Sequence, residues 1–123
     1  MPDRAWKAQE RRVARLCGGH RYPANSGDRV DVEGPQVVAQ VKHVRVLSLA
    51  ALETLAAEMD GIGLERRKLG VVCVKRRAGR GCPTPGLVVM TERVWDQLVG
   101  MGSKREHAGA SENREKQRAQ DWR

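Results

Sequence analysis

Asp31, Gln40 and Lys42 stand in a stretch of otherwise largely apolar residues, Val30-Asp31-Val32-Glu33-Gly34-Pro35-Gln36-Val37-Val38-Ala39-Gln40-Val41-Lys42. None of the three helps a core, so their grouping points to chemistry. An aspartate and an amide oxygen are hard ligands of the kind magnesium takes in small number while keeping several waters. An ammonium beside them can orient or help deprotonate an attacking water, or neutralise charge that builds on a phosphate in the transition state. Together they suit metal-assisted hydrolysis of a phosphodiester. A solvent-facing hairpin would also carry polar residues on one face, so the surrounding elements must decide between the two accounts.

The run reads as a hairpin, with Gly34-Pro35 supplying the turn. Strand side chains alternate faces, which predicts Val30 and Val32 on one face, Asp31 on the other, and Gln40 with Lys42 on a shared face. A loop with an even number of residues pairs Val32 with Val37 and Asp31 with Val38, placing Asp31 on the face of Gln40 and diagonal to it. Upstream, Trp6, Val13 and Cys17 recur at helical spacing between Asp3 and Cys17. Glu10 falls within that stripe, at i+4 from Trp6 and i−3 from Val13. A core-facing glutamate needs a partner, which is either a metal or a basic neighbour such as Arg11, Arg15 or a side chain on an adjoining strand.

The order of a helix with Glu10, then Gly18-Gly19-His20-Arg21-Tyr22-Pro23, Ser26-Gly27, Asp31-Val32 and Gln40-Val41-Lys42 resembles the PD-(D/E)xK nuclease superfamily. The closest likeness is to its small phage members of the Holliday-junction-resolvase type, over roughly Trp6 to Leu98. The resemblance implies an α/β (α+β) restriction-endonuclease-like fold with an αβββαβ core, a mixed central sheet flanked by helices. It implies that Asp31 is the metal-binding aspartate, Lys42 the catalytic lysine and Glu10 the helical glutamate that joins the site. Asp31, Gln40, Glu10 and the Val41 backbone carbonyl would then hold magnesium or manganese, while Ser26 would belong to the loop before the aspartate. The expected activity is endonucleolytic cleavage of branched DNA such as a four-way junction, by a homodimer, in the cytoplasm of a bacterium or phage-infected cell. One position departs from the family, because Gln40 stands where most members have Glu or Asp. Gln keeps an oxygen ligand but loses a charge. The alternatives are a catalytically silent, structure-selective DNA-binding protein with the nuclease fold and, last, a restriction- or transposon-type nuclease, for which 123 residues leave little room for a sequence-reading domain.

Composition agrees with a single nuclease-like domain over residues 1–99 followed by a polar charged tail over 100–123. A net charge of +8 and a pI near 10.1 indicate an anionic partner, with nucleic acid the default. Arg11, Arg12, Arg15, Arg21, Arg45, Arg76, Arg77 and Arg80 are the cations expected on DNA, where phosphate contacts give affinity and a steep salt dependence but little base specificity. Aromatic residues make up only 3% of the chain, which argues against a single-strand binder working by base stacking. The charged N-terminus and the lack of a long apolar run predict neither a secretory signal nor a membrane span. Three cysteines fit a reducing compartment, and the spacing of Cys17, His20, Cys73 and Cys82 matches no strong zinc pattern. His43, beside Lys42, alternates to the opposite face and reads as a packing or surface histidine.

The remaining elements are scaffold. Ser48 is predicted to cap a helix whose Leu52, Leu55, Ala56 and Met59 face inward, ending near Gly61 and Gly63. Leu69–Arg77 reads as a central strand and Gly86–Met90 as another, joined by a turn-rich connection, with Thr91 capping a short last helix that contains Val94, Trp95 and Leu98.

Overall fold

The computed structural model describes residues 5–22, 29–79 and 81–105. In chain order the elements are α1 (Ala5–Cys17), β1 (His20–Arg21), β2 (Val32–Glu33), β3 (Val37–Val44), α2 (Leu49–Arg66), β4 (Leu69–Arg76), β5 (Gly86–Val89) and α3 (Glu92–Arg105). The strands form one mixed five-stranded sheet in the order β1-β2-β3-β4-β5, in which β3 and β4 are parallel and all other neighbours antiparallel. The αβββαβ order implied by the resemblance is present, followed by the strand and the last helix that the sequence also predicted.

A parallel pair needs a long crossover, and the 18 residues of α2 supply it. The crossover divides the core into two layers. On one face Val13 and Ala14 of α1 and Val94 of α3 pack with Val32, Ala39, Val71 and Cys73. On the other, Met59 of α2 packs with Val30, Val38, Val72 and Val74. Leu69 to Val74 are all buried, which explains why β4 reads as an unbroken apolar run.

Two glycines expected to stop the second helix lie inside it. A Cβ on Gly63 would come within 2.6 Å of the Gly70 nitrogen and the Lys68 carbonyl, and one on Gly70 would stand 1.7 Å from the Met59 carbonyl. Close approach of α2 to β4, and not termination, is what requires these two residues. The helix ends at Arg67, whose φ of 58° is left-handed; the Lys68 N–H turns back to the Gly63 carbonyl at 2.8 Å. Ser48 caps the other end, its Oγ accepting from the Ala51 N–H at 3.1 Å. In α3 the helix runs past Gly100, where the polar tail was expected to begin, as far as Arg105. Residues 106–123 lie outside the described residues. No helix among those described is long and apolar enough to cross a membrane.

The hairpin register also differs from expectation. Val32 pairs with Ala39 and Glu33 with Val38, so the loop is even, as the shared face requires, and of the length supposed, but the register is shifted: Val32 faces Ala39, two residues beyond Val37. Val30 and Val32 do not share a face: Val30 joins the α2 layer and Val32 the α1 layer. The reason is a departure from the regular ladder at the residue between them.

Candidate functional site

At Asp31 the backbone leaves the ladder and the side chain replaces it. The Asp31 N–H donates to the Ala39 carbonyl at 2.9 Å, and its Oδ2 accepts the Val41 N–H at 2.8 Å. A carboxylate thus occupies the place of a backbone carbonyl and is fixed against the edge of β3. The N–H and C=O of one strand residue point to the same edge, so the Val41 carbonyl also opens towards Asp31. Gln40 and Lys42 alternate with Val38, and their partners Val72 and Val74 belong to the α2 layer, so both side chains leave on that face. The Gln40 Oε1 is buried with no hydrogen-bond partner. Lys42 is half-buried, and none of the ion pairs among the described residues includes it.

Glu10 stands apart from this group. Arg21 Nε and Nη2 donate to its Oε1 at 3.1 and 3.0 Å, and α1 lies on the face opposite Gln40 and Lys42. The partner that a half-buried glutamate needs is therefore an arginine on β1. The helix is also rotated relative to the predicted stripe: Gln9, with Val13 and Ala14, is its buried polar residue. Gln9 Oε1 accepts from Arg12 Nε at 3.0 Å, while its Nε2 is buried without a partner.

Sequence reasoning missed Glu33. Its carboxylate accepts from the Tyr22 hydroxyl at 2.5 Å, Arg66 Nη1 at 2.7 Å and Lys68 Nζ at 2.5 Å, joining the hairpin to the end of α2. The bond from Lys68, then that from Tyr22, pulls its carboxyl down to about 2 against the opposing effect of burial. The run Arg66-Arg67-Lys68 is the only signal that could have suggested an acidic partner, and it does not say which acid. A second tie joins α2 to the start of α3. Thr91 Oγ1 donates to Asp60 Oδ2 at 2.9 Å, and Arg93 Nε donates to Asp60 Oδ1 at 2.9 Å with a close second contact from Nη2.

The cations expected on DNA divide into groups. Arg15, Arg45, Arg76 and Arg77 are exposed. Arg21 is taken by Glu10, and Arg12 is held between Gln9 and Gly86, where a Cβ would meet its Nη2 at 2.5 Å. Arg11 is half-buried and engaged in an interaction of its own. Ser26 and Arg80 lie outside the described residues.

An unpaired buried acceptor costs about 1–3 kcal/mol, which a cation or a water at Gln40 Oε1 would relieve. Gln40 Oε1, the Asp31 carboxylate and the Val41 carbonyl are oxygen donors that carry one charge among them. Such a set fits magnesium, which binds through one or two carboxylates and keeps its waters. Among the described residues no group of three or more His, Cys, Asp or Glu side chains is disposed to hold a metal. Comparison of this chain with protein-family models, with curated proteins and with solved structures finds no match.

Proposed function

We propose that this chain is a metal-dependent endonuclease acting on branched DNA, in the manner of the Holliday-junction-resolvase-like nucleases that it resembles. The observation that carries the reading is the hydrogen bond from the Val41 N–H to Asp31, which ties the acid to the strand bearing Gln40 and Lys42. Asp31, Gln40 Oε1 and the Val41 carbonyl are the atoms that would hold magnesium or manganese. The bound ion supplies Lewis acidity and lowers the pKa of a coordinated water. Val41 keeps Asp31 in one orientation through the N–H it donates. Lys42, half-buried and outside the ion pairs of the described residues, orients the attacking water or donates to the phosphate oxygen that gains charge. Glu10, held by Arg21, positions α1 against β1. Paired cuts in a symmetric junction need two sites, so a homodimer and a cytoplasmic setting belong to the same proposal.

One observation favours a second reading, a binder that recognises branched DNA without cutting it. The donor set holds a single carboxylate, because Gln40 is uncharged. Cleavage of labelled four-way junction, flap and plain duplex DNA with magnesium or manganese separates the two. Junction-selective cutting that is lost in Lys42→Ala supports the nuclease. An inert parent chain with an active Gln40→Glu variant identifies a silenced site, and a failure of both to cut any substrate sinks the catalytic reading.

A further inference from the structure

A second polar constellation lies where β3 and β4 end, on the face opposite Gln40 and Lys42. His43 and Lys75 are partners in the parallel ladder, so their side chains leave on the same side. Beyond them the Arg77 N–H donates to the Val44 carbonyl at 2.8 Å, prolonging the ladder by one bond. Thr84 Oγ1 donates to the Arg76 carbonyl at 2.7 Å and folds the β4–β5 connection back over the strand end. These groups enclose an open cleft of about 260 Å³, lined by His43, Lys75, Arg76, Arg77, Cys82 and Thr84, with Ala5 of α1 as its far wall. No acid lines it, and none of the ion pairs among the described residues includes Lys75, Arg76 or Arg77. Lys75 and Arg77 therefore leave on the side of His43, and no acid among the described residues of the cleft balances them.

We infer that this cleft is a phosphate-binding subsite in which Lys75 and Arg77 neutralise the oxyanion and His43 donates a hydrogen bond to it. A cleft several times the roughly 30 Å³ occupied by a water has room for a tetrahedral phosphate. The identity of the phosphate as one from the DNA backbone rests on the nuclease reading. β3 ends one residue beyond His43, so a strand leaving the Lys42 face at that end of the sheet would meet the cleft next. A phosphate ester on a small molecule would satisfy the same groups.

The test combines two titrations of the full chain. Inorganic phosphate is added while the His43 imidazole signals, assigned with His43→Gln, are followed by NMR. The expected result is a saturable displacement, weakened about fivefold in Lys75→Gln and again in Arg77→Gln. Binding of duplex and four-way junction DNA is then measured against salt. Each of those variants should lower the slope of log affinity against log salt by about 0.9. Arg29→Gln, which removes an equal charge from an exposed arginine paired with Glu58, should leave the slope unchanged. His43 signals that stay still, or move equally in the variants, overturn the subsite. A variant-sensitive phosphate response with an unchanged salt slope overturns the backbone assignment and leaves the cleft to a free phosphate ester. If the chain binds no DNA yet keeps that response, the nuclease reading falls and the subsite stands.

Discussion

Glu33 receives donors from Tyr22, Arg66 and Lys68, and its carboxyl is drawn down to about 2 from an ordinary value of 4.5. A carboxyl whose folded pKa lies below its unfolded one contributes stability that is fully present above the unfolded value and lost as pH falls through the folded one. Acid titration followed by circular dichroism should therefore show stability falling between about pH 4.5 and about pH 2, with the slope in that window reduced in Glu33→Gln. At the candidate site, Lys42→Ala should cost about 100-fold or more in the rate of cleavage while leaving the thermal midpoint nearly unchanged, since the ammonium supports no ion pair among the described residues. Gln40 and Lys42 were legible in the sequence because a period of two is local. Glu33 was not, since its partners lie 33 and 35 residues downstream and no periodicity links them. At Glu10 the sequence left a metal or a basic neighbour as partner, and the structure places Arg21 of the adjoining strand there, because rotating the stripe by one residue buries Gln9 and leaves the acid at the flank.

Among the elements, α2 and its glycines make the clearest test. Gly70→Ala would drive a methyl into the Met59 carbonyl and should lower stability by about 1–3 kcal/mol or more, read as a fall in the denaturation midpoint. Gly61→Ala should do the reverse. A Cβ there meets nothing within 4 Å, and replacing an exposed mid-helix glycine by alanine gains about 0.5–1 kcal/mol. Sequence reading treated Gly61 and Gly63 alike, as helix stops, because composition marks glycine without saying what stands opposite it. The helix passes through both, one for want of any obstacle and the other because β4 lies against it. Capping was easier to read: Ser48 and Thr91 both accept an N–H from the first turn that they precede.

At the scale of the whole molecule, the hairpin, α2, β4, β5 and α3 were legible from periodicity, apolar runs and caps, whereas the full αβββαβ order, with its two-residue β1, came from the resemblance. The point at which a strand stops being regular was not recoverable, and here that point is Asp31. A net charge of +8 predicts salt-sensitive DNA binding, checked by a linear fall of log affinity with log salt on both duplex and junction. The Asp31–Val41 bond has a further consequence for how the chain tolerates change in length. β3 is held in place by eight pairs with β4 and by the layers above and below it, and of the turn at Gly34–Gln36 the Gln36 carbonyl joins that ladder, accepting the Leu69 N–H at 2.9 Å. One residue inserted between Gly34 and Pro35, ahead of that bond, would leave β3 where it is while walking Asp31 off Val41 and turning the acid to the wrong side. On the nuclease reading such a chain should fold and bind DNA without cutting it, which would tie the length of a surface turn to the chemistry more tightly than its composition.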